Sequence, residues 1–238
     1  KQNKPFGKFC QLMFCPEAAL LFNIISWTSL VWRCNLNKII ILGVLPMNEI
    51  ADKVEKAHDI NEAYCLVYAY GKENPKEIDN IIALNKILIS KSNDDNSPNG
   101  RNITYEAYRY IARGYKNKNL LGSGCAYDSK NYEMAADYYL KAFDKAPDSG
   151  TKLSSLDGAA SMFWNLDKMQ DWCKIRIKQA ELLSDKDKTR IYLDVAREIE
   201  GAGQQEKYYK LALKYAPKMA ADIDIRNEII ATIKERIG

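Results

Sequence analysis

The segment Asp137-Tyr-Tyr-Leu-Lys-Ala-Phe-Asp-Lys-Ala-Pro147 returns seventy positions later as Lys207-Tyr-Tyr-Lys-Leu-Ala-Leu-Lys-Tyr-Ala-Pro217. Both copies share Tyr-Tyr-x-x-Ala-[Phe/Leu]-x-x-Ala-Pro. Seventy is twice 35, so the spacing leaves room for one further unit and matches helical-hairpin repeats of about 34 residues. Sliding the first copy forward by 34 lays Tyr138 on Trp172, Phe143 on Ile177 and Ala146 on Ala180, an apolar but degenerate match. A chain built this way is expected to be a solenoid, a fold that presents surface more often than a reaction centre.

Within the best copy, Ala135, Tyr138, Tyr139, Ala142, Phe143 and Ala146 fall at i, i+3, i+4, i+7, i+8 and i+11, one stripe of a helix. Ala135 and Ala142 would let a neighbouring helix approach while Tyr139 and Phe143 fill the groove between them. Pro147 would stop the helix. Ala135, Tyr139, Ala142 and Pro147 resemble the second helix of a tetratricopeptide repeat, and Tyr108-Arg-Tyr-Ile-Ala-Arg-Gly-Tyr115 resembles its first. Gly122-Ser-Gly-Cys-Ala-Tyr-Asp128 resembles the turn of the related Sel1-like repeats. The segment between Tyr115 and Ala135 is about eleven residues longer than the tetratricopeptide hairpin. The resemblance implies an all-α, right-handed α-solenoid of helix-turn-helix repeats with a C-terminal capping helix.

Segment by segment, Asn48 caps a predicted helix from Glu49 to about Tyr70, Gly71 closes it, and Pro75 opens a second helix reaching about Ser90. This is a first hairpin over 48–90. The polar stretch that follows predicts a loop over 91–103. Three further hairpins fill 104–217: Thr104–Lys116 with Asn131–Ala146, Ser154–Leu166 with Lys168–Leu183, and Lys188–Glu200 with Gln204–Ala216. Residues 218–238 form the predicted cap, with Ile229, Ile230, Ile233 and Ile237 inward and Asp222, Asp224, Glu228 and Lys234 outward.

Residues 1–47 have a different composition. They carry five of the 35 basic residues but only Glu17 of the 31 acidic ones, leaving 30 against 30 in the remainder. The net charge of +4 therefore does not mark a nucleic-acid or anionic-lipid surface, which needs clustered positive charge. Ala18 to Trp32 is apolar but shorter than the roughly 20 residues that span a bilayer. It reads as sequence upstream of a start at Met47, as a signal-anchor over residues 18–45, or as a packed N-terminal helix. The first option suits a cytoplasmic protein and the second a membrane-anchored or exported one.

Little in the chain points to catalysis. His58 is the only histidine and has no nucleophile in sequence reach of a triad. Six cysteines without a Cys-x-x-Cys pair suggest neither zinc nor redox chemistry. Cys65 and Cys173 fall on apolar stripes, where a thiol acts as a small hydrophobe and suits a reducing compartment. Cys125 sits in a glycine-rich turn of the kind that lowers a thiol pKa, but positive-φ turn geometry alone explains those glycines. The chain is expected to be no enzyme and to need no cofactor; an enzyme using Cys125 or a hidden carboxylate pair is the remote alternative. Asn102-Ile-Thr104 matches a glycosylation sequon, which has meaning only for a secreted chain.

Arg109, Arg113 and Lys116 lie at i, i+4 and i+7, with Tyr108 and Tyr115 beside them. This is either an ordinary solvated helix face or a binding surface. In tetratricopeptide domains such first-helix positions line a peptide groove. The resemblance therefore implies that Tyr108, Arg109, Arg113 and Lys116 receive a protein or peptide partner, acidic or ending in a free carboxylate. The expected function is a non-enzymatic adaptor.

Overall fold

The computed structural model describes residues 45–93, 95, 97–121 and 128–238. The expectations for residues 1–44, including the Ala18–Trp32 stretch, and for the Gly122–Tyr127 turn with Cys125 lie outside them. The described residues are all helical, with no strand. Ten α-helices run α1 Met47–Lys56, α2 Ile60–Glu73, α3 Ile78–Ser92, α4 Pro98–Leu121, α5 Ser129–Lys145, α6 Ser149–Asn165, α7 Met169–Leu182, α8 Asp185–Glu198, α9 Ala202–Tyr215 and α10 Ile223–Ile237. A short 3-10 turn, Ala216–Lys218, links the last two. Each helix packs on its neighbours in sequence, and α3 on α1 and α4 on α2 add contacts one helix further along. Among the described residues no helix is long and apolar enough to cross a membrane.

The repeat positions are structural. Ala135 and Ala142 are fully buried and Tyr139 nearly so, as are Trp172 and Ala180 of the degenerate middle copy and Tyr208, Ala212 and Ala216 of the last. Pro147 follows the end of α5, and Asp148 then starts α6 through a capping box with Thr151. The middle copy looks degenerate because Arg176 stands where its neighbours have alanine. Its guanidinium donates to Gln179 at 2.8 Å and reaches Asp194 of α8 at 3.3 Å and Asp157 of α6 at 3.7 Å. The small-residue contact is thus exchanged for an ionic one between three helices.

The N-terminal part departs from the predicted hairpin in five places: α1 begins at Met47, so Asn48 lies within it instead of capping it, α3 begins at Ile78 rather than at Pro75, and three further differences concern a helix break, a helix end and a loop. The helix expected over 49–70 is two helices, broken at Ala57–Asp59. Asp59 accepts from the Glu62 backbone at 2.8 Å and so caps a new helix, while Glu62 accepts from the His58 backbone at 2.8 Å just outside it. Gly71 does not end α2, which continues to Glu73 and is stopped by Asn74, whose backbone N–H donates to the Tyr70 carbonyl at 2.9 Å. The loop expected over 91–103 is shorter. Ser97 Oγ accepts from the Gly100 backbone at 3.0 Å and Pro98 occupies the first helical position, so α4 starts there and carries Asn102 within it.

At the other end, α10 buries Ile233 and half-buries Ile229, Ile230 and Ile237, the residues expected to face inward. It starts at Ile223 rather than near Lys218. Its first turn exposes Ile223 and Ile225 beside the expected Asp222 and Asp224.

A close approach between helices tests this packing. A Cβ on Gly158 of α6 would lie 2.6 Å from the Tyr139 ring of α5. On an open helix surface Gly→Ala stabilises by up to ~1 kcal/mol. Gly158→Ala should instead destabilise by about 1–3 kcal/mol through overpacking. Gly203→Ala, where nothing lies within 4 Å of the added carbon, should be neutral or stabilising. Urea midpoints at unchanged m-value would show the contrast.

Candidate functional site

The four residues expected to bind a partner all lie on α4, but packing divides them. Arg109 is turned into the protein: its side chain is 11% exposed and pairs with Glu106, 12% exposed, at 3.1 Å. The face is covered at this level because Tyr64 and Tyr68 of α2 come up against α4. Tyr108 packs on Tyr138 of α5 with ring centroids 6.1 Å apart, an interhelical contact. Lys116 is half-buried and lies away from the cleft described below. Arg113 alone of the four is both exposed and directed at a cavity.

That cavity is a cleft of about 310 Å³ between α2, α3 and α4. Val67, Ile78 and Ile81 give it an apolar floor. Tyr64, Tyr68 and Tyr110 form aromatic walls, the first two stacked at 6.2 Å and 19°. Lys72, at the C-terminal end of α2, and Arg113 contribute two cations. Neither forms an ion pair with the described residues. Gly114 lets α4 close onto α3, since a Cβ there would meet Ile82 at 2.8 Å. Sequence reasoning found Arg113 but missed Lys72 and the tyrosines, whose convergence depends on α2 packing across α4.

Burial sets the electrostatics. The Glu106 carboxyl is raised above the ordinary glutamate value by desolvation, with Arg109 and Arg113 pulling it partly back. Tyr110 is pushed up to about 12, by burial first and then by Glu106. The Tyr64 hydroxyl is raised further, by burial, Tyr110 and Glu106. Both hydroxyls therefore stay protonated across the physiological range. Aromatic faces, hydroxyls and two cations suit an apolar group joined to an anion. Three polar atoms nearby, Tyr105 Oη, Glu106 Oε2 and Arg109 Nε, are buried without a well-aligned hydrogen bond.

The remaining chemical candidates do not assemble. His58 is exposed in the α1–α2 turn rather than on a helix face, and its backbone is used in the cap. Cys173 is buried and free, with burial pushing its thiol up to about 11, which leaves it unreactive at neutral pH. Cys65 is disulfide-bonded, which corrects its reading as a plain apolar thiol. Among the described residues no group of three His, Cys, Asp or Glu is placed to hold a metal ion. No protein-family model matches this chain, and no curated protein matches it.

The different fates of the two arginines can be measured. Arg109→Glu would set two carboxylates together in a buried site and should cost at least ~3–5 kcal/mol of stability. Arg113→Gln, on the surface, should change stability by less than about 1 kcal/mol. Thermal or urea unfolding of the two variants distinguishes them.

Proposed function

We propose that this chain is a non-enzymatic adaptor of tetratricopeptide-like architecture. In this reading α2/α3, α4/α5, α6/α7 and α8/α9 are successive hairpins of a right-handed solenoid, and α10 is its cap. The repeated Tyr-Tyr-x-x-Ala motif and the packing of each helix on the next support the architecture. The partner is a peptide whose apolar terminal side chain enters the α2–α3–α4 cleft and whose free carboxylate meets Lys72 and Arg113. The observation that carries this is the meeting of a tyrosine-walled apolar cleft with two cations that form no ion pair among the described residues.

Arg109 leaves the binding set in this reading. It supports α4 from within, so a variant at Arg109 would report on folding rather than recognition. Tyr108 is likewise assigned to packing on α5, and Lys116 to the surface away from the cleft.

A fluorescein-labelled glycine-serine peptide ending in phenylalanine tests the proposal. With a free carboxylate it should bind at roughly 10–100 µM, as expected for one apolar anchor and one charge cluster. Its C-terminal amide should bind at least ~10-fold more weakly, and so should the free acid to the Lys72→Glu, Arg113→Glu double variant. Circular dichroism should show that variant folded. Equal affinity of wild type and folded variant would remove the cleft from the account.

A further inference from the structure

The cleft has a buried carboxylate behind its wall. Glu106 lies one helical turn before Tyr110 and nearly two before Arg113 on α4, both of which line the cleft, and Tyr64 of α2 completes the wall in front of it. Its side chain is 12% exposed, and its Oε2 is buried without a well-aligned hydrogen bond although Arg109 Nη2 is 3.1 Å away. A negative charge held in so poorly solvated a place is screened weakly and acts across the wall. It opposes an anion arriving at Arg113 and offsets part of the positive field of Arg109 and Arg113.

We infer that Glu106 sets the anion affinity of the cleft: charged, it restrains binding of a carboxylate ligand, and protonated, it releases the full field of Arg109 and Arg113. The inference rests on the cleft being a carboxylate-binding site. The groups that face Glu106 are Arg109, Arg113, Tyr105 and Tyr110 of α4 and Tyr64 of α2, with Tyr68 of α2 and Tyr139 of α5 adjoining them. Burial keeps the protons on Tyr64, Tyr105, Tyr110 and Tyr139 up to alkaline pH and guanidinium groups stay charged throughout, so Glu106 is the group of this set that changes charge on acidification.

The sign follows from the burial of Glu106, which places its titration above the ordinary value of 4.5. Falling pH through that titration neutralises Glu106 and tightens binding. A peptide carboxylate, ordinarily near ~3.5, stays charged over the same range. By linkage, a bound anion raises the proton affinity of Glu106, so binding takes up protons.

The test measures the affinity of the free-carboxylate phenylalanine peptide from pH 5 to 8 for wild type and Glu106→Gln. Wild type should tighten by roughly 5- to 20-fold on acidification, a size set by one charge acting through a partly desolvated site. Glu106→Gln should bind at the tighter limit throughout, with a flat profile. His58→Gln should retain the wild-type profile, because His58 is exposed in the α1–α2 turn. Should Glu106→Gln fail to fold, calorimetry of wild type and His58→Gln near pH 6 in buffers of different ionisation enthalpy decides: proton uptake in both supports the inference, and its absence overturns it. Parallel profiles for wild type and Glu106→Gln would overturn the role of Glu106 and leave the cleft intact. No binding by either protein at any pH would overturn the cleft and this inference together.

Discussion

Helix α4 is the element on which the rest of the packing leans, because it is buried on both sides. Its Ile103, Ala107 and Ile111 belong to an apolar cluster with α1, α2 and α3, while Ala112 belongs to a second cluster that runs on through α10. Tyr115 of α4 and Tyr138 of α5 pack against both clusters, with their rings 5.8 Å apart. A helix covered from two directions needs small residues where neighbours press closest, and Ala107, Ala112 and Gly114 supply them. It has little open surface for its charges. Glu106 and Arg109 are therefore carried inward together, one turn apart, where removing either would leave the other desolvated and unpaired.

The same crowding creates the cleft. Tyr64 and Tyr68 of α2 project toward α4, where Tyr110 meets them, and a recess of about 310 Å³ remains in the angle between α2, α3 and α4. The aliphatic floor comes from residues of the N-terminal cluster, so the recess is set into a packed body rather than a loop. Lys72 and Arg113 both line it although they belong to different helices, and neither forms an ion pair among the described residues, while Arg113 also hydrogen-bonds the Tyr139 side chain of α5. Apolar depth with cationic edges favours a ligand that joins a side chain to a carboxylate.

The helices of the C-terminal half were legible in sequence because their signals are local. Ala142 and Ala212 mark close approach, and the Ala-Pro ends at 146–147 and 216–217 mark where helices stop. The N-terminal half was less legible, for physical reasons that differ from place to place. The break before α2 uses no glycine or proline; it depends on Asp59 and Glu62 accepting hydrogen bonds from backbone, a signal present as Asp-x-x-Glu but overridden by the apolar periodicity on either side. The early start of α4 was written in Ser97-Pro98 inside a stretch whose polarity suggested a loop. Burial of Arg109 had no local signal. A charge at helical spacing reads as solvated, and only the packing of α2 against α4 reverses that. For the same reason one cleft cation, Arg113, could be named from sequence while Lys72 could not.

The central claim, that this surface is a recognition cleft between α2, α3 and α4, is tested most directly by mapping backbone amide chemical shifts while the free-carboxylate phenylalanine peptide is titrated in. The account expects saturable shifts concentrated at Tyr64–Lys72, Ile78–Asn85 and Tyr110–Asn117, with α8 to α10 unmoved. Shifts confined to α8 to α10, or none at millimolar peptide, would contradict it.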